Sequence, residues 1–375
     1  MKSTARNPAA VDSPLFTAFT EELEICARDL QEYLIDRRYL DRFRPDSMGE
    51  AVTLYVQSGG KRLRPAILLW SCGALGGDVR TALPAAAAVE VFHTWTLVHD
   101  DIIDRDLTRR GADTVHERFR RVAESRYSSV PTLDSVHYGT SVAILAGDAQ
   151  HGWGISMMTE LSREYGVDPA ITLHLIEVLD NRVLNLLVEG EILDLQFARV
   201  PIERLDIETI EGMLWKKTGV LYRFCAEAGA MIGLGRPEEE HPQVRALAEF
   251  SSRCGIAFQL QDDILGVLGD PKRLGKPVGS DIREGKRTTV VRYAYTDATP
   301  AERELLGRTL GRSDAGEEEI AEVVEILTRR GGVEKTRRRA QQHIEEALPY
   351  LEELPPSRWR DLLRTWGEYM IERSL

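Results

Sequence analysis

The chain predicts an all-α fold, a single domain of many packed helices, on three observations. Apolar residues recur at three- and four-residue spacing along most of its 375 residues, the period of an amphipathic helix. Strand-like alternation is scarce. No Gly-, Pro- or Ser-rich stretch is long enough to separate two domains, so one large helical unit over residues 14–375 follows, behind a loose tail at residues 1–13.

In chain order, Phe16, Phe19, Leu23, Ile25, Leu30 and Leu34 predict a helix from Leu15 to about Leu40, closed by Pro-containing sequence between Phe43 and Ser47. A short helix, Met48 to Gln57, is stopped by Ser58-Gly59-Gly60, and Pro65 opens the next, from Ala66 to Leu75. After Gly76-Gly77, an apolar run from Pro84 to Val98 predicts a buried central helix. Thr108 to Gly139 reads as a charged, irregular stretch interrupted by Pro131. Helical periodicity resumes over Ser141–Leu161, Pro169–Phe197, Ile207–Ile232 and Val244–Leu268. A loop rich in Gly, Lys and Asp covers Gly269–Thr289, followed by helical runs at Val290–Tyr295, Ala301–Leu310, Glu318–Arg329, Val333–Leu348 and Pro356–Arg373.

The net charge of −12 argues against a general nucleic-acid surface and against docking on anionic lipid. Any anionic ligand must therefore be met by local positive charge. The four cysteines, Cys26, Cys72, Cys225 and Cys254, stand far apart in no metal or redox spacing and read as small buried hydrophobes in a reducing compartment. No uncharged run approaches the ~18 residues of a membrane span, and the first residues lack the apolar segment of a signal peptide. A cytoplasmic location is the expectation.

Chemistry first appears where the central helix ends. Asp100, Asp101, Asp104 and Asp106 fall within seven residues, and Asp100 and Asp104 share one helical face with His93 two turns earlier. Like charges in that register repel, and a cation removes the penalty. Hard carboxylates at helical spacing suit Mg²⁺, which takes one or two protein carboxylates and completes its shell with water and substrate phosphate. Read alone, this is more simply a solvated acidic helix end. A second cluster changes the balance: Gln259, Asp262, Asp263 and Gly266 make one polar face between Ile256, Phe258, Leu260, Ile264 and Leu265. Carboxylates on so apolar a helix must be compensated. Two such helices facing one another would wall a cavity able to hold several Mg²⁺. Basic groups stand apart at Gly59-Gly60-Lys61-Arg62-Leu63-Arg64, Arg109-Arg110, Lys216-Lys217, Lys276 and Lys286. Arg offers a fork matched to phosphate and Lys a compact charge between two phosphates.

The ordered set GGKRLRP, HTWTLVHDDIID, LTRRG, KKTG, FQLQDDILG and GKPVGSDIREGKRT, from about Leu54 to Arg292, resembles the trans-isoprenyl diphosphate synthases. The resemblance implies the all-α isoprenoid synthase bundle around a deep central cavity, as a homodimer. It implies a Mg²⁺-dependent condensation, with about three ions per site, in which isopentenyl diphosphate attacks the cation left when an allylic diphosphate sheds pyrophosphate. Position by position, Asp100, Asp101 and Asp104 match the first metal motif, Asp100 and Asp104 as direct ligands, and Asp262 with Asp263 the second. Gly59, Gly60, Lys61, Arg64, His93 and Arg110 match the isopentenyl diphosphate site. Arg109, Lys217 and Lys286 match groups on the allylic diphosphate, Lys276 and Asp281 the loop that closes over it, and Thr218 and Gln259 the groups facing the cation.

Two departures stand out: Gly266 replaces the last aspartate of the second motif, and Glu191 stands where Gln is common. In the resembled family, bulk just before the first motif limits product length; here those positions are Trp95 and Thr96, and a large aromatic predicts a product of fifteen or twenty carbons, with ten open. Trp95 packing the core is the competing reading. A class I terpene cyclase and a non-catalytic partner subunit are the alternative functions. The first has no need of GGKRLRP with His93 and Arg110, and the second should have eroded motifs, of which Gly266 is the single instance.

Overall fold

The computed structural model describes residues 14–130, 132, 134–268 and 279–372. The tail at residues 1–13 and Lys276 lie outside them. The first helices are α1 (Pro14–Leu34), α2 (Arg37–Leu40), α3 (Asp46–Gln57), α4 (Leu63–Ala74) and the central α5 (Leu83–Asp104). The expected Leu15–Leu40 helix is thus two pieces: the Asp36 carboxylate accepts from Arg38 N at 2.9 Å and starts α2 afresh. Pro84 sits in the first turn of α5, and Arg105, in left-handed backbone at φ 59°, ends it.

The stretch expected to be irregular is ordered. Thr108–Arg109 (β1) pairs antiparallel with Ala112–Asp113 (β2) across a turn in which Arg110 and Gly111 have φ of 54° and 78°. Then comes α6 (Val115–Arg126), hidden in the sequence because its buried face includes an acid: Glu117 is 2% exposed and receives Arg120 at 2.6 Å and Arg121 at 2.8 Å. The remaining helices are α7 (Ser135–Met158), α8 (Glu160–Arg163), α9 (Pro169–Glu177), α10 (Leu184–Phe197), α11 (Ile207–Leu214), α12 (Val220–Leu234), α13 (Pro242–Leu268), α14 (Ser280–Glu284), α15 (Thr289–Asp297), α16 (Pro300–Thr309), α17 (Glu317–Arg329), α18 (Gly332–Ala347) and α19 (Arg358–Glu372). π-helical turns, Val178–Val183 and Trp215–Gly219, link α9 to α10 and α11 to α12.

Helix α5 lies at the centre, with α4 and α7 against it. Its Ala85 to Val89, Val91 and Phe92 are fully buried, and the run of alanines lets neighbours approach on several sides. Helix α4 packs on α12, α12 on α13, and α13 on α18. A smaller apolar core gathers Ile264 and Val267 of α13 with Ile282, Val290, Leu306, Val323 and Leu327. Helix α13 therefore belongs to both cores. The N-terminal helices are tied in by Glu160, 3% exposed, which accepts from the hydroxyls of Tyr33 and Tyr39 and from Arg38 at 3.2 Å. Glu160→Ala would strand two buried phenols, and urea unfolding should show a loss of about 2–4 kcal/mol.

Candidate active site

A cavity of about 640 Å³ opens between α5, α10, α12 and α13. Asp100 and Asp104 line one wall, Asp262, Asp263 and Gly266 the opposite one, and Glu191, Asp194, Lys217, Asp281 and Lys286 the sides between. The π-helical turn at Trp215–Gly219 widens the helix there, and it carries both Lys217 and Thr218. Lys217 Nζ lies 2.8 Å from Glu191, 2.7 Å from Asp194 and 3.7 Å from Asp100. Lys286 Nζ lies 3.1 Å from Asp104 and 2.8 Å from Glu284. Burial would lower both ammonium groups, but the surrounding carboxylates, Asp100 and Asp194 for Lys217 and Asp104 and Asp281 for Lys286, hold them above the usual lysine value. The two lysines stay charged.

The carboxylates are pushed the other way. Burial raises Asp104, against Lys286 and with Asp100, and it raises Asp263 well above the usual range, with Asp281 adding to the rise. Asp263 is 6% exposed; its Oδ1 accepts from Gln259 at 3.2 Å while its buried Oδ2 has no hydrogen-bond partner. Thr218 in turn donates to Gln259 at 3.0 Å, so the expected pair meets and orients one oxygen of Asp263. Among the described residues no three acidic, His or Cys side chains converge as a ready metal cage. Hard oxygens on two facing walls, one of them buried and unpartnered, nevertheless fit Mg²⁺, which demands few protein ligands and draws the rest from water and phosphate.

Asp101 does not join them. It is fully buried and outside the cavity lining, accepting from Arg109 Nε at 2.9 Å with both oxygens, from Arg109 Nη2 at 2.5 Å and from the Tyr55 hydroxyl. A carboxylate so saturated has no lone pair to offer a metal, so its expected place among the ligands is corrected: it aims Arg109 at the cavity. One residue of register decides this, since successive helical positions are turned by about 100°.

The basic loop is built under strain. Gly59, Gly60 and Arg62 have φ of 77°, 143° and 48°, and only glycine takes such values freely. A Cβ on Gly60 would lie 2.8 Å from the Arg110 guanidinium, which donates to Gly59 O. Arg62, buried at 5%, holds the loop from beneath by donating to Glu90 of α5 and to Val56 O at 2.6 Å. Its role escapes the sequence, where it reads as one more surface cation. Arg64 Nη1 donates to His93 Nε2 at 3.1 Å, and its guanidinium lies 4.5 Å from the Tyr222 ring centre. Burial and Arg64 hold His93 well below the usual histidine value, so the neutral ring accepts from Arg64 and positions it. Arg64, His93, Arg109 and Arg110 line the cavity. Lys61 does not; it is exposed, 5.6 Å from the Tyr369 ring of α19.

Away from the charges the cavity turns apolar, with Ile103, Leu187, Val188, Ile192, Leu214, Leu221 and Phe258 lining it. Trp95 and Thr96 line it too. The Trp95 ring is braced edge-on by Phe92 at 5.0 Å and His99 at 5.7 Å. Thr96 donates to His93 O at 2.7 Å, so its hydroxyl is turned to its own helix.

A family model described as polyprenyl synthetase matches residues 45–327, most of the chain and every cavity segment above. The chain belongs to the polyprenyl synthetase family. It is 36% identical over 340 residues to the short chain isoprenyl diphosphate synthase of Methanothermobacter thermautotrophicus, covering 90% of this chain and 94% of that one. The geranylgeranyl pyrophosphate synthetase of Pyrococcus horikoshii superposes with a TM-score of 0.78 at 31% identity, over 96% and 98% of the two chains. The geranylgeranyl pyrophosphate synthase of Corynebacterium glutamicum, solved with isoprenyl diphosphate and magnesium, superposes equally well, TM-score 0.78 at 29% identity, over 96% and 99%. The all-α isoprenoid synthase fold is thereby shown, and the synthetase is a prenyltransferase that extends prenyl diphosphate chains. Its family is generally Mg²⁺-dependent and uses isopentenyl and allylic diphosphates.

Glu191 carries a pH signature. Burial lifts its carboxyl from about 4.5 to about 7, against Lys217 and with Asp100. Between those values the folded synthetase holds a proton that the unfolded chain has released, so stability from this group falls as pH rises through the window. Urea unfolding without Mg²⁺ should show wild type losing on the order of 1–3 kcal/mol relative to Glu191→Gln between about pH 5 and pH 8. Parallel profiles would show that Glu191 titrates normally.

Proposed function

We propose that this synthetase condenses isopentenyl diphosphate head-to-tail with an allylic diphosphate, using three Mg²⁺ per site, and releases a prenyl diphosphate of fifteen or twenty carbons with pyrophosphate. One observation carries the reading: a single cavity joins two acidic walls, two separate sets of cations and an apolar lining that includes Trp95. Bound at Asp100, Asp104 and Asp262, Mg²⁺ would neutralise the leaving diphosphate. Arg109, Lys217 and Lys286 stand where that diphosphate would lie, and Lys276, outside the described residues, is proposed as a further cation for it. Because the surrounding carboxylates keep the two lysines charged in spite of burial, they stabilise negative charge as it develops without having to gain a proton.

Arg64 and Arg110, with His93 behind Arg64, form the second anion site, and Gly60 and Lys61 stand at its rim. Holding isopentenyl diphosphate there presents its double bond to the allylic carbon, and orientation supplies much of the rate. Thr218 and Gln259, hydrogen-bonded to one another in the cavity wall, are assigned to the place where the cation forms. The departing pyrophosphate takes the proton released when the new double bond closes. No protein nucleophile is needed.

The prenyl tail of the allylic substrate lies in the apolar pocket, and we assign the limit on its growth to Trp95. Residues 14–375 are treated as one catalytic unit because α13 carries the second acidic wall and enters both cores. The synthetase is also proposed to be a homodimer. Ile144 and Leu145, neighbours on α7, are exposed at 45% and 59%, apolar side chains that a second copy would cover. No described helix is long and apolar enough to cross a membrane, and the four cysteines are buried and free, which fits a cytoplasmic place of work.

Purified protein with Mg²⁺, isopentenyl diphosphate and, in turn, dimethylallyl, geranyl or farnesyl diphosphate should yield elongated prenyl diphosphates of fifteen or twenty carbons. Cyclic hydrocarbon would identify a cyclase, and no turnover a non-catalytic subunit. Trp95→Ala should shift the products to longer chains in the same assay, and an unchanged distribution would reduce Trp95 to core packing. Light scattering should give twice the mass of one chain; a single-chain mass would remove the dimer.

A further inference from the structure

Burial, then the guanidinium groups of Arg64, Arg109, Arg110 and Arg62, keep the His93 ring neutral, so four positive charges converge there. Their partners differ. Arg62 is paired with Glu90 and Arg109 with Asp101, which cancels much of those two charges. Arg110 donates to the Gly59 carbonyl, and Arg64 to the His93 ring at 3.1 Å. Among the described residues, no carboxylate stands within ion-pair distance of Arg64 or Arg110. Arg64 is the harder of the two to hold, because its Nε is buried and meets no acceptor. A guanidinium so placed, without a counter-ion, needs another source of stabilisation.

Tyr222 of α12 supplies a face for it, with the ring centre 4.5 Å from the guanidinium carbon. The ring is fully buried and boxed in. Trp366 of α19 lies against it at 5.5 Å between ring centres, and Phe258 of α13 at 5.9 Å. Phe250 in turn meets Trp366 edge-on at 5.7 Å. On the α13 side Gly255 leaves room: a Cβ there would lie 2.9 Å from Tyr222 Cδ2 and 3.0 Å from the Gly219 Cα, so the two helix backbones close together beside the ring. Arg64 lines the cavity and Tyr222 does not. The ring thus stands behind the cation.

We propose that Tyr222 is a positioning residue of the isopentenyl diphosphate site, its ring face fixing the Arg64 guanidinium while leaving that charge available to the diphosphate. The inference rests on the assignment of Arg64 to that site. An aromatic face attracts a cation through its quadrupole, most strongly where water is excluded. A carboxylate in the same place would hold Arg64 as well, but would cancel the field that attracts an anion. A π face and a neutral imidazole do the first without the second. Lys217 and Lys286 differ because they share their walls with carboxylates suited to Mg²⁺. Around Arg64 no such carboxylate stands, so the positive charge of the site comes from the arginines themselves.

Initial rates with Mg²⁺, varying isopentenyl diphosphate and then dimethylallyl, geranyl or farnesyl diphosphate, whichever wild type extends fastest, test this. The proteins are wild type, Tyr222→Phe, Tyr222→Leu and a set carrying mono-, di- and trifluorinated phenylalanine at position 222. Tyr222→Phe keeps the face and should keep the KM for isopentenyl diphosphate. Tyr222→Leu should raise that KM about tenfold, with kcat and the KM for the allylic diphosphate within about twofold of wild type. Successive fluorines withdraw charge from the ring face at nearly constant shape, so the same KM should climb stepwise along the set. An unchanged KM in Tyr222→Leu, a flat fluorine series, or equal rises in both KM values would each overturn the proposal and leave Tyr222 as core packing. Thermal unfolding checks that each variant is folded, and the fluorinated set, which preserves the ring, decides the matter should Tyr222→Leu unfold early. A wild type that turns over no isopentenyl diphosphate would instead overturn the assignment of the site, and the proposal with it.

Discussion

Everything in this molecule depends on keeping carboxylates charged on helices that are otherwise core. Asp104, Glu191 and Asp263 all sit where burial drives the carboxyl toward its neutral form. Isolated ionised groups in such a place would cost far more than a domain's net stability. Lys217 and Lys286 offset that cost from the middle of the cavity, each touching carboxylates from more than one element. The same two lysines are suited to meet a diphosphate. These ion pairs offset the repulsion between the acidic walls of the cavity.

The helices are distorted where that arrangement requires it. Lys217 and Thr218 occupy a π-helical turn, whose extra residue widens the coil. The loop before α4 carries left-handed backbone at Arg62, a conformation that costs an ordinary residue on the order of 1–2 kcal/mol. It persists because the Arg62 guanidinium is bonded to Glu90 and to Val56 O in a buried setting. Glu90 lies three residues before His93 on α5, so the helix that carries Asp100 and Asp104 also anchors the loop that carries Gly60 and Lys61.

Acidic residues in this chain divide sharply by what they face. Glu117 and Glu160 are as buried as Asp263, yet both are fully engaged by arginines or phenols and serve only packing. Asp101 belongs with them, although the residue before it, Asp100, lines the cavity. Asp263, by contrast, keeps an oxygen without a partner. That residual capacity sets Asp263 apart from the other buried acids, and burial alone does not reveal it.

Periodicity determined the helical class, because a 3.6-residue repeat of apolar side chains requires no knowledge of what it packs against. The two acidic motifs on apolar helices were equally plain, since charge inside a hydrophobic run demands compensation wherever it lies. Helix α6 was not legible: its inward face includes Glu117, and the arginines that neutralise it look like surface charge until their bonds are seen. The saturation of Asp101 and the buried anchoring by Arg62 were hidden for the same reason, each resting on partners far along the chain such as Tyr55 or Glu90. Only the tertiary structure could show that the Asp281 carboxylate, fifteen residues later in the chain, lies against Gly266, because distance in space is the one quantity a sequence does not carry.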